Sequence, residues 1–227
     1  MKKSVLFALL SFAFLCSNAQ TEQGKIFIGG QINFNSQKTS NLDSVLVTDY
    51  SNKGFQFIPN IGYFVANNFA IGINLDFGTS SSSQTYVSNS PYTSTYATTS
   101  VTYGGGVFAR YYCKIADKFF FVLNAGITYS TQPEKVTQSS NDPNSVYSYD
   151  YPANQNIQQH VTNITLAPGL TYFMTTKLGI QVNFGNLFYT NNTSKNTTIT
   201  RDNHNNYQYS GVNLNSSTFN VGLNYYF

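Results

Sequence analysis

After Gly24 the chain consists of eight segments, each about ten residues long, in which apolar residues alternate with small or polar ones. In FAIGINLDFG, for example, Phe69, Ile71, Ile73, Leu75 and Phe77 stand against Ala70, Gly72, Asn74 and Asp76. The other segments start at Gly24, Gly54, Val101, Phe119, Asn163, Lys177 and Ser217. Alternation with period two marks a β-strand with two unlike faces. No segment shows convincing helical periodicity, and no later stretch reaches the apolar length of a spanning helix.

The connections alternate as regularly as the residues. Those after the second, fourth and sixth segments are short: ANN, KIAD and TTK. Those after the first, third, fifth and seventh run to about 18, 22, 28 and 28 residues, rich in Ser, Thr, Asn and Tyr. A soluble sandwich does not explain this rhythm. A membrane barrel does, with short turns at one rim and long loops at the other. A weak internal repeat agrees: PNIGYFVANNFAIGINLDFG from Pro59 and PGLTYFMTTKLGIQVNFG from Pro168 align through the turn, and ARYYCKIADKFFFVLNAG is a looser third copy. We read these as repeated hairpins. Proline removes a ladder hydrogen bond, so local bulges are expected at Pro59 and Pro168.

Period two alone does not say which face meets water, and here composition decides. Charged residues are 9% of the chain, against roughly 25% in ordinary soluble proteins. The non-apolar face carries Gly, Asn, Gln, Thr and Ala, with Lys25, Asp76, Arg110 and Lys114 as its few charges. That is too uncharged for a soluble exterior and suits a narrow lumen filled by side chains. Tyr63, Tyr111, Tyr172, Tyr225 and Phe227 fall at the short-turn ends, and Phe34, Phe77 and Tyr129 at the other, as two interfacial girdles. The expected fold is therefore all-β, an eight-stranded antiparallel up-and-down transmembrane β-barrel.

Residues 1–19 read as a signal peptide, leaving 20–227 as the barrel domain. Lys2 and Lys3 precede the apolar run SVLFALLSFAFL, and Ser17 and Ala19 sit at the small-residue positions. Phe14 and Leu15 before Cys16 do not suit a lipidation site. Export with Cys113 as the one remaining cysteine means no internal disulfide framework. Without the leader the formal charge falls from +3 to about +1, which gives no basic stripe for nucleic acid.

The whole mature region resembles the small outer-membrane β-barrel family of the OmpA/OmpX-like type. In that superfamily the last strand ends on a glycine, two residues, an aromatic or apolar residue, any residue and a terminal aromatic. Gly222, Tyr225 and Phe227 fit that spacing. The resemblance implies insertion in the outer membrane of a Gram-negative bacterium, contact with its lipid and lipopolysaccharide, and recognition of the last strand by the barrel-assembly machinery. It also implies a monomer. No peptidoglycan-binding domain follows the barrel in this sequence, so a cell-wall tether is not expected.

The sequence is poor in catalytic signals. His160 and His204 lie in or beside long connections, where surface polar residues are the simple reading. Asp202 and His204 with a nearby serine compose a hydrolytic set on paper, as at the rim of outer-membrane lipid A deacylases, but Ser-rich loops make such sets by chance. There is no metal-ligand spacing, phosphate loop or cofactor motif. Asp76 and Arg110 are expected to face inward, as a lumen ion pair, as separate pairs with Lys114 and backbone groups, or as a polar constriction. Cys113 is expected on the lipid side near a short turn. The functional expectation is a non-enzymatic structural or surface-interaction protein acting through its external loops. A narrow porin-like pore and a rim-located lipid-modifying hydrolase are the alternatives.

Overall fold

A computed structural model describes residues 21–42, 46–88, 92–141, 154–198, 204–213 and 220–227. The expected signal peptide and Asp202 lie outside them. The described strands are β1 (Ile26–Leu42), β2 (Leu46–Ala66), β3 (Phe69–Ser88), β4 (Thr93–Ala116), β5 (Phe119–Ser140), β6 (Asn154–Phe173), β7 (Leu178–Asn183), β8 (Asn186–Asn196), β9 (His204–Asn213) and β10 (Asn220–Tyr226). Strands β1 to β7 and β10 close a ring in which every neighbour is antiparallel. Closure runs through β1 and β10, with Phe27 opposite Tyr226 and Ile32 opposite Val221. The terminal Phe227 amide donates to the Ile26 carbonyl at 2.8 Å.

The eight sequence segments are the cores of these eight ring strands, and the three repeat copies are the hairpins β2–β3, β4–β5 and β6–β7. Two of these turns carry one residue in the left-handed region, Asn68 at φ 64 and Lys118 at φ 66. A register shift sits beside each, between Phe64 and Ala66 and between Lys114 and Ala116. That is the arrangement of a short hairpin closed by a bulge. At the second turn Lys114 pairs with the exposed Asp117 at 2.9 Å and holds its carboxyl below the usual range.

The long connections are where the structure departs from expectation. Much of their length continues the ladder. Leu42 is still opposite Val47 in β1–β2, Val87 opposite Thr93 in β3–β4, and Thr137 opposite Asn154 in β5–β6. The fourth connection contains the hairpin β8–β9, with β8 pairing onto β6 beyond β7. Thr- and Ser-rich sequence reads as loop by composition, yet Thr is a good strand residue, and an already formed barrel strand supplies the template for its growth. Among the described residues β1 pairs with β2 alone beyond Ile32, and β9 pairs with β8 alone.

The two prolines behave differently from the bulges expected at them. Around Pro59 the β2–β3 ladder loses the pairs at Ile58 and Pro59, but its register is unchanged on either side. At Pro168 the extra residue lies on the partner. Ala167 and Pro168 face a break between β7 and β8 that contains Phe184 and Gly185 (φ 73), and the register with β6 differs by one across it. Glycine takes that backbone conformation without strain. The Phe184 amide is still satisfied, donating to the Pro168 carbonyl at 3.1 Å.

The apolar face points outward. Ile28, Ile61, Ile73, Val107, Ile127 and Ile164 are directly opposite one another across six strands, and all are exposed. Tyr63, Tyr172, Tyr225 and Phe227 are exposed near the short-turn end, and Phe34, Phe77 and Tyr129 near the other. An apolar band between aromatic girdles is the exterior of a transmembrane β-barrel. Above the upper girdle β3 runs from Phe77 to Ser88, roughly 35 Å of strand. These extensions do not build the ring. Replacing residues 82–98 by an Asn-Gly turn that joins Ser81 to its partner Thr99 is expected to leave the heat-modifiable, compact migration of the barrel unchanged on cold gels.

Candidate functional site

The interior is built in two storeys. The lower one is an aromatic floor. Phe27, Phe64, Tyr112, Phe120, Phe173 and Tyr226 come from β1, β2, β4, β5, β6 and β10, and none exposes more than 2% of its surface. Ring centroids lie 4.9 Å apart for Phe173 and Tyr226, 5.1 Å for Phe120 and Phe173, and 5.4 Å for Phe27 and Tyr226. Room for them comes from small residues on the same face. A Cβ on Gly62 would stand 2.3 Å from the Phe27 ring. The floor packs across the short-turn end of the lumen.

Arg110 lies on the floor. Its guanidinium carbon is 4.9 Å from the Phe27 ring centre and 5.1 Å from that of Phe108, within cation–π range. Its Nε donates to Asn124 Oδ1 at 2.6 Å and its Nη1 to the Tyr112 hydroxyl at 3.2 Å. The Tyr112 and Tyr226 hydroxyls share a bond of 3.0 Å. On the other side Asn124 Nδ2 donates to Asn183 Oδ1, which also receives Gln181 Nε2. One polar network thus ties β4, β5, β7 and β10 together. A buried cation needs such partners to be tolerated.

A second network occupies the opposite wall. Asn33 Nδ2 donates to Gln56 Oε1 at 3.0 Å, and Gln56 Nε2 donates to Asp76 Oδ1 at 2.7 Å. Asp76 and Arg110 both line the lumen as expected, but they do not form the expected ion pair. Asp76 is opposite Gly104, and Arg110 lies six positions further along β4, opposite Ala70. That separation is roughly 20 Å of strand. Among the described residues the ion pair present is Lys114–Asp117.

Between the networks is a cavity of about 610 Å³, with Arg110 and Phe108 at its base and Phe188 and Tyr209 in its wall. Its lining rises from Arg110 to Asn35, Tyr209 and Asn213 towards the hairpin end. The sequence reading missed most of its lining, because Asn and Gln on an inner face look like filler. It also missed the floor, although a signal was present. Tyr63-Phe64, Tyr111-Tyr112, Phe119-Phe120, Tyr172-Phe173 and Tyr225-Tyr226 are adjacent aromatics at the short-turn ends. Side chains of neighbouring strand residues point to opposite faces, so each doublet gives one ring to the girdle and one to the floor.

The remaining candidates lie apart from the cavity. His160 is within β6, beside Tyr129 on the outer face. Its Nδ1 is 2.9 Å from the Tyr129 hydroxyl and 3.3 Å from Thr131 Oγ1, and the two rings are stacked. His204 begins β9. Cys113 is on the outer face next to the short turn, opposite Phe121. Gly222 is buried on the inner face of β10, while Tyr225 and Phe227 are exposed and their rings meet edge to face at 4.9 Å.

No protein-family profile matches the chain, and no curated protein matches it. Among solved structures it is similar to Neisserial surface protein A, at 14% identity and a TM-score of 0.34, covering 89% of this chain and 99% of that one. A major outer membrane protein from Thermus thermophilus gives 13% identity and a TM-score of 0.42, covering 90% and 99%. The outer membrane protease OmpT from Escherichia coli gives 11% and 0.39, covering 90% and 94%. At such scores the fold assignment rests on the strand register and the apolar exterior described above.

Proposed function

We propose that this chain is an integral outer-membrane protein with a non-enzymatic structural or surface-interaction role, its extended hairpins standing outside the cell. The observation that carries the reading is the pairing of the outward apolar band with strands that run far beyond its upper girdle. Bilayer fixes the length of the band, so the extra strand is built for something in the external medium. Tyr86 and Tyr96 meet edge to face at 5.8 Å on the β3–β4 hairpin, where tyrosine offers contact area at low entropic cost. Lipid and lipopolysaccharide are the expected surroundings of the band and girdles. Gly222, Tyr225 and Phe227 remain the proposed signal to the barrel-assembly machinery.

Orientation is tested by labelling. In a Cys113→Ser background, Ser81→Cys is expected to react with a membrane-impermeant maleimide on intact cells, and Asp117→Cys only after the envelope is opened. The opposite pattern rejects the external hairpins. The role itself is tested by the 82–98 replacement, which is expected to alter adhesion or envelope integrity; unchanged phenotypes count against it.

The rings packed across the short-turn end count against the pore reading. Purified protein in planar bilayers is expected to give no stepwise conductance; steady steps would revive the pore. The rim-hydrolase reading meets the position of His160, whose described partners are a tyrosine and a threonine on the outer face.

A further inference from the structure

We propose that the cavity above the aromatic floor is a binding cup for a small, neutral, polyhydroxylated ligand of the saccharide class, entering from the hairpin end. The shape is the first ground. The cup is floored by packed rings and holds about 610 Å³, a size that takes small ligands.

Charge is the second ground. The ionisable side chains of the lining are Asp76 and Arg110, one acid and one base. Each is already held by protein groups, Asp76 by Gln56 and Arg110 by Asn124, Tyr112 and two rings. An anion would face the carboxylate and a ring of amide oxygens, and a cation would face the guanidinium. A neutral ligand meets neither penalty.

The third ground is what the lining leaves unspent. Asn60 is 7% exposed, and its Oδ1 has no hydrogen-bond partner among the described residues. The Oδ1 atoms of Asn33 and Asn186 are also buried and without a partner among them, and all three residues line the cup. A buried carbonyl left unpaired is costly, so native proteins rarely leave several in one place. Rotating these amides into the cup would offer their oxygens to several donors on one small molecule. Hydroxyl groups supply such donors, and they would also meet an amide turned end for end, since a hydroxyl both donates and accepts. Phe188 and Tyr209, 6.0 Å apart and edge to face, add ring surface for the C–H side of such a molecule. Tyr209 is 54% exposed and stands free at the wall to stack.

The proposal goes beyond the surface-interaction reading and would stand if the β1–β2, β3–β4 and β5–β6 extensions bound nothing. It is tested by saturation-transfer NMR on the full protein folded in detergent micelles. The probes are maltose, cellobiose, sucrose and trehalose, with galacturonate and glucosamine as charged controls of similar chemistry. Transfer to at least one neutral disaccharide is expected, with affinity falling about tenfold in Tyr209→Ala and transfer lost in the Asn60→Leu/Asn186→Leu double variant. Cold-gel migration confirms that the variants fold, and the exposed Tyr209 keeps the test decisive if the double variant does not. No transfer from any of the four, transfer to the charged probes alone, or transfer and affinity unchanged in folded variants would overturn the proposal.

Discussion

Replacing Ile73 by Arg is expected to destabilise the barrel in lipid vesicles by about 2–4 kcal/mol. Ile73 lies midway between Phe69 and the girdle residue Phe77 on β3, and it is 55% exposed on the outer face. Placed at mid-depth in hydrocarbon, a guanidinium has no water and no acid to pair with, and the girdles are about four residues away in either direction. Asn74 is next in sequence but lines the lumen. Asn74→Lys keeps its charge among amides and near Asp76, so about 1 kcal/mol or less is expected. Urea titrations of vesicle-inserted protein measure both. If Asn74→Lys were the costly change and Ile73→Arg the harmless one, the assignment of the two faces would be reversed.

Phe27→Ala is expected to cost about 3–5 kcal/mol, the usual loss for a fully buried ring. Phe27 is 0% exposed, at 5.8 Å from the Phe64 ring and 6.1 Å from that of Phe108, with Arg110 above it. Its removal takes away a cation–π partner and leaves a hole that five other strands hold open. Phe34→Ala is the control, because Phe34 is 75% exposed at the upper girdle; a cost below about 1 kcal/mol is expected there. Gly62→Val drives a side chain into the Phe27 ring and is expected to destabilise on its own. Combined with Phe27→Ala it fills the space the ring vacates, so the double variant should lose clearly less than the sum of the two. Additive losses would mean that the two residues do not share one packing site.

How much of this was legible in the sequence depended on whether a feature repeats along one strand or arises between strands. The strand cores, their outer faces and the hairpin rhythm follow from period two, which local sequence carries in full. Asp76 and Arg110 were placed correctly on the inner face by the same rule. Their separation along the β3–β4 ladder was not legible, because distance between two inward residues depends on register. The reach of β3 and β4 past the girdle was hidden by their Ser and Thr content, which marks loops in soluble proteins but extends a ladder readily once a barrel strand exists. Pro168 was read as the site of a bulge. The fold places the extra residue opposite it, at Gly185, where the positive φ is free of strain. The aromatic doublets are plain in the sequence: four of the five give one ring to the girdle, Phe119 counts only as a strand residue, and the neighbouring rings go unplaced. The alternation rule that built the strands should have sent those neighbours inward.

The apolar face of the eight-stranded ring meets lipid while its amide-rich face encloses a cup above the aromatic floor. The most direct measurement is a spin-label scan from Ile71 to Phe77 on β3 in reconstituted bilayers, in the Cys113→Ser background, reading collisions with dissolved oxygen. High oxygen accessibility is expected at Ile71, Ile73, Leu75 and Phe77, and low accessibility at Gly72, Asn74 and Asp76. A flat profile, or one with the two sets exchanged, would contradict the account.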